Sequence, residues 1–185
     1  MEVRPYYEQP TEDPSLIKDI LEIHEVKPRV VLTPVGGYPW PIFFAEEFPN
    51  TEIVSFDNNP RQIQEFKETI TDTIGSQPLY LDISNTKNLS DILDRKKIDF
   101  VFLSNIPDYL DLGSIEEIVE VITEQDVEII LISSMGDGNI EKGYEPEGYQ
   151  TFVDLLKENG YVITLEGDNG GRFEVKQFCL ARKKK

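Results

Sequence analysis

The chain has 185 residues, a length that suits one domain, and 39% of them are hydrophobic, which is enough to bury a core. Acidic residues outnumber basic ones by 35 to 18, and the resulting charge of −17 argues against a nucleic-acid partner, because such proteins concentrate lysine and arginine against the phosphates. A single cysteine and a single histidine exclude an internal disulfide and a zinc cluster, which needs several such ligands.

Short β-branched runs alternate with amphipathic segments from residue 13 onward. Asp13-Pro14 is typical of an N-cap followed by proline at the first helical position, and the helix that it starts ends before Pro28. Five strands, each followed by a helix, are then predicted at residues 29–33, 52–57, 78–81, 98–103 and 127–133. The helices are predicted at 41–48, from 59 onward, around 89–93, from a capping box at 114–117, and around 152–156.

The end of the chain differs from this alternation. Two strands are predicted at 161–165 and 173–181, with no helix between them. Residues 167–171 (G-D-N-G-G), which separate these strands, are typical of a tight turn. The chain therefore closes with a β-hairpin.

Strands that alternate with helices predict a parallel sheet with helices on both faces. We therefore expect an α/β fold: a three-layer α/β/α, doubly wound, seven-stranded and mostly parallel sheet with a C-terminal antiparallel hairpin. This is the Rossmann-like order of class I S-adenosylmethionine-dependent methyltransferases. We assign residues 1–28 to an N-terminal arm and helix, and residues 29–185 to a domain that binds S-adenosylmethionine. No signal peptide or membrane-spanning stretch is visible in the sequence, so we expect a cytoplasmic protein.

In an open parallel sheet, ligands bind beyond the carboxyl ends of the strands, where the strand order reverses. The loop after the first strand (T-P-V-G-G-Y-P-W) carries the candidate cofactor contacts Pro34, Gly36, Gly37 and Tyr38. Its two glycines allow the backbone to approach a ligand closely. Methyltransferase loops usually carry three alternating glycines after an acidic residue. An ordinary tight turn therefore stays open as an alternative, and so does a packing role for Tyr38 and Trp40.

Asp57 ends the second predicted strand, 21 positions after Gly36. This spacing matches the roughly 20 residues at which an acid accepts hydrogen bonds from a ribose in dinucleotide-binding folds. Asp57 and its neighbour Asn58 are therefore candidate ribose contacts. In the alternative interpretation, Asp57, Asn58 and Asn59 only turn the chain and cap the next helix.

Further polar residues follow the third and fourth strands. Asp82 stands where methyltransferase-like proteins often place a carboxylate or amide against the adenine amino group, although it could equally lead into a helix. We expect Ser104 and Asn105 beside the sulfonium of a bound S-adenosylmethionine, with a buried turn stabilised by Asn105 as the alternative. Asp108 and Tyr109 are the catalytic candidates, which would remove a proton from a hydroxyl acceptor.

Other reactive residues have structural explanations. His24 lies on the first predicted helix, far from the strand ends, so no Ser-His-Asp set is available. Cys179 lies on the last predicted strand and is expected in the core. The glycine-rich residues 135–146 follow the fifth strand and could either close over an acceptor or form ordinary surface.

Two segments resemble those of one enzyme family more closely than the fold alone requires. Residues 57–62 (D-N-N-P-R-Q) resemble the D-x-N-P-x-Q segment of the S-adenosylmethionine:diacylglycerol 3-amino-3-carboxypropyltransferase family of betaine-lipid synthesis. Residues 103–109 (L-S-N-I-P-D-Y) are similar to its L-S-N-I-x-D-aromatic segment. The resemblance implies S-adenosylmethionine binding through Asp57 and Asn105. It does not extend to diacylglycerol, because this chain is much smaller than those enzymes.

We therefore expect an enzyme that transfers a methyl or 3-amino-3-carboxypropyl group from S-adenosylmethionine to a small-molecule acceptor. Two alternatives stay open. A non-catalytic binding module of the same fold would explain the glycine-poor loop. An NAD-dependent oxidoreductase would use Asp57 in the same way, although the loop lacks G-x-G-x-x-G and the terminal hairpin is unlike that fold.

Overall fold

One mixed sheet organises the part of the chain that the structure, a computed structural model, describes: residues 14–35, 40–69, 78–134, 147–168 and 177–184. Its strands are β1 (Val30–Pro34), β2 (Glu52–Asp57), β3 (Leu79–Tyr80), β4 (Phe100–Ser104), β5 (Ile129–Ser134), β6 (Tyr161–Asp168) and β7 (Gln177–Lys183). They lie in the order β3-β2-β1-β4-β5-β7-β6. The first five are parallel, and β7 runs antiparallel to both β5 and β6. The predicted fold class is confirmed.

Helices cover both faces of this sheet. In chain order they are α1 (Pro14–Ile23), α2 (Trp40–Glu47), α3 (Pro60–Thr69), α4 (Thr86–Lys96), α5 (Leu112–Glu124) and α6 (Gly148–Glu158). A short 3₁₀ helix at Ile106–Tyr109 follows β4 directly. Among the described helices, none combines the length and the apolarity that crossing a membrane requires.

The sheet separates two hydrophobic cores, because alternate residues of a strand point to opposite faces. Leu32 of β1 lies in the core covered by α4, α5 and α6, whereas its neighbour Val31 lies in the core covered by α1 and α2. The second core is rich in aromatic rings. Trp40 is fully buried there and meets Phe102 edge-on, with ring centroids 4.9 Å apart. Trp40 therefore packs in the core, as one of the two interpretations expects.

The carboxylate of Asp99 fixes the start of β1 beside the start of β4. It accepts hydrogen bonds from the backbone N–H groups of Arg29 at 3.1 Å and Val30 at 2.9 Å. The Arg29 side chain adds an Nε donor at 2.8 Å. Since β1 and β4 are neighbours in the sheet but far apart in sequence, this carboxylate helps to set their pairing.

Some local predictions are wrong. Helix α5 begins after Asp111, whose side chain accepts a hydrogen bond from the Ser114 backbone at 2.9 Å, so Ser114 is not the N-cap. Ile23 follows the helical spacing of the apolar residues Leu16, Ile17, Ile20 and Leu21, which predicts a buried side chain, but it is 76% exposed. Gly167 and Asp168 belong to β6 and not to the turn. The rest of that predicted turn and the beginning of the last strand lie at 169–176, outside the described residues.

Candidate functional site

The strand order reverses at β1, which lies between β2 and β4. The carboxyl ends of these three strands therefore meet at one edge of the sheet, the position where open α/β sheets bind ligands. Pro34 at the end of β1 pairs with Phe56, so Asp57 extends one residue beyond it on one side. Asn105 follows the end of β4 on the other side. Two polar side chains that the sequence predicted as ligand contacts thus flank the end of β1.

The Asp57 carboxylate is held by residues of its own motif. Its Oδ1 accepts a hydrogen bond from the Asn59 backbone at 2.7 Å. With the Gln62 amide turned so that its nitrogen faces the carboxylate, Nε2 donates to Asp57 Oδ2 at 2.7 Å and to Oδ1 at 3.1 Å. Gln62 thus fixes the orientation of Asp57. Gln62 lies five positions after Asp57, at the end of the D-N-N-P-R-Q segment. This spacing is the signal that could have identified its role from the sequence.

The capping role predicted for this turn falls mainly on Asn59. Its side-chain oxygen accepts a hydrogen bond from the Arg61 backbone at 3.0 Å, at the start of α3. Asn58 is exposed, and Asp57 is partly exposed. The structure therefore gives Asp57 a part in the turn and leaves its carboxylate at the strand edge.

Asp82 lies next to this edge but does not end a strand, because β3 stops at Tyr80. The exposed Asp82 carboxylate accepts hydrogen bonds from the backbone and hydroxyl of Ser84, at 3.1 and 2.7 Å. The Leu81 backbone donates to the Asp57 carbonyl at 3.0 Å, which brings the two acidic residues into one region. Asp82 therefore organises a turn close to the end of β2.

Asn105 turns the chain sharply after β4. It has a left-handed backbone, with φ of 55°, which asparagine tolerates better than most residues. Its backbone N–H donates to both the carbonyl and the hydroxyl of Ser133, at 3.1 and 3.2 Å. Asn105 is buried, whereas Ser104 at the end of β4 is partly exposed. The buried turn at Asn105 that one interpretation expects is present at the edge where a ligand would bind.

The two catalytic candidates differ in their surroundings. Asp108 is only 4% exposed, and its Oδ1 accepts a hydrogen bond from the Ser134 hydroxyl at 2.5 Å. Tyr109, the next residue, is 64% exposed. The two candidates therefore differ in their access to solvent, with Asp108 held inside the fold and Tyr109 at the surface.

Gly148 allows the start of α6 to pack closely against the 3₁₀ helix, a role that the sequence did not predict. A Cβ on Gly148 would lie 2.4 Å from the carbonyl oxygen of Pro107, closer than any side chain tolerates. Helix α6 therefore touches the segment that carries Asp108. A glycine before an amphipathic helix is too common a signal to reveal this contact.

Two buried hydroxyls lie at the ends of β1 and β2. Thr33 pairs with Ser55 across these strands, and neither hydroxyl has a hydrogen-bond partner among the described residues. Thr33 occupies a place where methyltransferase loops usually carry an acidic residue.

The structure describes only part of the predicted cofactor loop. Pro34 ends β1, while Gly36, Gly37 and Tyr38 lie outside the described residues, as does the whole of 135–146.

The remaining reactive residues lie elsewhere. His24 follows α1, and its backbone carbonyl accepts a hydrogen bond from Arg182 at the opposite end of the sheet from Asp57. Cys179 is fully buried in β7, and burial raises the pKa of its thiol to about 12. Both findings agree with the structural interpretation of these two residues.

No protein-family model matches the chain, and a search of curated proteins also finds no match. Solved methyltransferase structures do resemble its fold. Magnesium protoporphyrin IX methyltransferase from Synechocystis PCC 6803, with bound S-adenosylmethionine, has a TM-score of 0.67 at 11% identity, covering 92% of this chain and 78% of that one. N-methyltransferase NodS from Bradyrhizobium japonicum WM9, in complex with S-adenosylhomocysteine, has a TM-score of 0.66 at 11% identity, with 96% and 90% covered.

A third structure, precorrin-6y C5,15-methyltransferase from Geobacter metallireducens GS-15, has a TM-score of 0.60 at 15% identity and covers 92% of this chain and 87% of its own. At such low identity these similarities establish the fold alone. The chain has the Rossmann-like class I methyltransferase fold. The narrower resemblance to the betaine-lipid family gains no support from these structures.

Proposed function

We propose that the chain is an S-adenosylmethionine-dependent transferase that acts on a small-molecule acceptor. The observation that carries this proposal is the position of Asp57 and Asn105 on either side of the end of β1, at the reversal of strand order. The similarity to methyltransferase folds supports it.

The donor groups at this edge suit the parts of S-adenosylmethionine. In our proposal Asp57, oriented by Gln62, accepts hydrogen bonds from the ribose hydroxyls, and the exposed Asn58 supports it. Asp82, close to the end of β2, contacts the adenine. Pro34, Gly36, Gly37 and Tyr38 are further candidate contacts for the cofactor. Ser104 and Asn105 lie beside the sulfonium.

S-adenosylmethionine, when bound, supplies an electrophilic carbon on a positively charged sulfur. The protein's contribution is then mainly to hold the acceptor in line with that carbon, which can supply about 7–11 kcal/mol of the barrier. An amine or thiolate acceptor needs no general base. For a hydroxyl acceptor, Asp108 takes the proton, and Tyr109 is the second candidate.

The group that is transferred distinguishes two versions of this proposal. The known methyltransferase structures favour methyl transfer, whereas the segment at residues 57–62 favours 3-amino-3-carboxypropyl transfer. Incubation with S-adenosylmethionine and a panel of acceptors separates them by product. S-adenosylhomocysteine reports methyl transfer, and methylthioadenosine reports aminocarboxypropyl transfer.

A non-catalytic module and an NAD-dependent oxidoreductase are the competing functions. Thermal unfolding with S-adenosylmethionine or NAD separates the ligands, since a ligand that binds the folded state raises Tm. We expect S-adenosylmethionine to raise Tm and NAD to leave it unchanged; the reverse result would favour the oxidoreductase. Tight binding without product from a broad acceptor panel would favour the non-catalytic module.

A further inference from the structure

The last two residues of β5 hold the segment that follows β4. Ser104 at the end of β4 pairs with Ser133 of β5, and Ser134 is the next residue of the same strand. Both Ser133 and Ser134 are fully buried. Because neighbouring residues in a strand point to opposite faces, their hydroxyls reach different groups.

Each of these serines contacts a different residue of the proposed site. The Ser133 hydroxyl accepts a hydrogen bond from the Asn105 backbone at 3.2 Å. The Ser134 hydroxyl donates to Asp108 Oδ1 at 2.5 Å. A hydrogen bond from a hydroxyl to an ionised carboxylate is about twice as strong as one between neutral groups.

The surroundings make the second contact important for Asp108. A carboxylate that is 4% exposed has lost most of its hydration, so each remaining donor has a large effect on its charge and orientation. The backbone that carries it is also confined, because Gly148 of α6 lies directly against the Pro107 carbonyl. The segment that carries Asp108 therefore has a fixed backbone, and the Ser134 hydroxyl donates to one oxygen of the Asp108 carboxylate.

We propose that Ser134 is a positioning residue, whose hydroxyl holds the Asp108 carboxylate in one orientation at the carboxyl end of β4. The catalytic use of Asp108 rests on the proposed function, but the hydrogen bond and its effect on Asp108 do not. Ser134 acts through its hydrogen bond to Asp108.

The test is a titration of the Asp108 carboxyl carbon by NMR in protein labelled with ¹³C-aspartate, without any ligand. Removing a hydrogen bond to a charged group costs enough that Ser134→Ala should raise the pH at which Asp108 takes up a proton by about one unit. Ser134→Thr keeps the hydroxyl and should restore the wild-type midpoint to within about 0.3 units. An Asp108 midpoint that is the same in Ser134→Ala and wild type would overturn the inference.

Ser133→Ala is the matched control, since it removes an equally buried hydroxyl from the same strand end. It should leave the Asp108 midpoint unchanged, because the Ser133 hydroxyl accepts its hydrogen bond from the Asn105 backbone, whereas the Ser134 hydroxyl donates to the carboxylate. An equal shift of the Asp108 midpoint in Ser133→Ala and Ser134→Ala would show that the loss of either buried hydroxyl disturbs the packing around Asp108. That result would also overturn the inference. Binding of S-adenosylmethionine to the wild-type protein is measured separately, and its failure would refute the proposed function without touching the titration result.

Discussion

Asp57 shows how one carboxylate can serve both the fold and a ligand. It takes part in the turn into α3 through Asn59 and is oriented by Gln62. An ionised carboxylate offers about four acceptor positions on its two oxygens, so a role in the turn and a role in ligand binding are compatible. The two interpretations of Asp57 that the sequence left open are therefore not exclusive.

The thiol of Cys179 should be unreactive in the folded protein. Burial raises its pKa to about 12, so almost no thiolate is present near neutral pH. We expect alkylation by iodoacetamide at pH 8 to be at least about 100-fold slower than in the protein unfolded in guanidinium. Mass spectrometry of timed samples measures both rates. Labelling of the native protein at the rate of the unfolded chain would show that the thiol is accessible.

At the scale of elements, Gly148 controls the contact between α6 and the 3₁₀ helix. Gly148→Ala places a Cβ 2.4 Å from the Pro107 carbonyl and should lower the free energy of unfolding by about 1–3 kcal/mol, as overpacking does. Urea denaturation measures the change.

Gly113→Ala is the matched control for this substitution. Gly113 also lies in the first turn of a helix, but its added Cβ would meet only the Asp111 side chain, at 3.3 Å. The Asp111 oxygen that it meets is the N-cap acceptor of α5 and needs to shift by only a few tenths of an ångström, so the substitution should change the free energy of unfolding by less than about 1 kcal/mol. Equal stability of the two variants would contradict the tight contact at Gly148.

The N-cap of α5 gives a pH-dependent contribution to stability. Hydrogen bonds from the Ser114 backbone and hydroxyl lower the pKa of Asp111 below its ordinary value of 3.8. Because the folded-state pKa is the lower one, the charged Asp111 stabilises the fold above pH 3.8. This contribution is lost as the pH falls through the lowered pKa.

Asp111→Asn keeps a capping side chain but cannot titrate. We expect its Tm to lie below that of wild type at neutral pH, with the gap closing as the pH falls below 3.8. Thermal unfolding followed by circular dichroism between pH 7 and pH 2.5 measures the gap. A gap that stays constant over this range would show that Asp111 does not contribute through its charge.

The helices and strands were largely predictable, because the spacing of hydrophobic residues and the length of each segment distinguish strands from helices here. The buried strand at Glu52–Asp57 was predicted with its bounds, and the β5 prediction needed a shift of one or two residues. The start of α5 was not predicted correctly, since Asp111 and Ser114 are both good capping residues three positions apart. The earlier one caps because its carboxylate accepts two hydrogen bonds from Ser114.

At the scale of the whole molecule, the site is assembled by contacts that no local pattern reveals. The strand ends that carry Asp57 and Asn105 could be predicted, because parallel strands bring their carboxyl ends to one edge. The bond between Ser134 and Asp108 joins residues 26 positions apart, and the fit of Gly148 against Pro107 joins residues of different elements. Such pairings depend on strand register, which the sequence leaves open.

The charge of the molecule agrees with the proposed ligand. A net charge of −17 favours the approach of cationic molecules, and S-adenosylmethionine carries a positive sulfonium. This field acts on all cations alike, so it contributes to attraction and not to recognition. Recognition depends on the groups at the edge formed by β2, β1 and β4.

Calorimetric titration of S-adenosylmethionine into the wild-type protein, Asp57→Asn and Asp91→Asn tests whether Asp57 holds the cofactor. Asp91→Asn removes the same charge from an exposed position on α4 and should bind like wild type. Asp57→Asn keeps the shape and a side chain able to turn the chain, but loses the charged acceptor. It should bind at least about tenfold more weakly, since a hydrogen bond to a charged group contributes about 1.5–3 kcal/mol. Absence of binding by the wild-type protein at millimolar S-adenosylmethionine would refute the proposed cofactor, and equal affinity of Asp57→Asn and wild type would refute the role of Asp57.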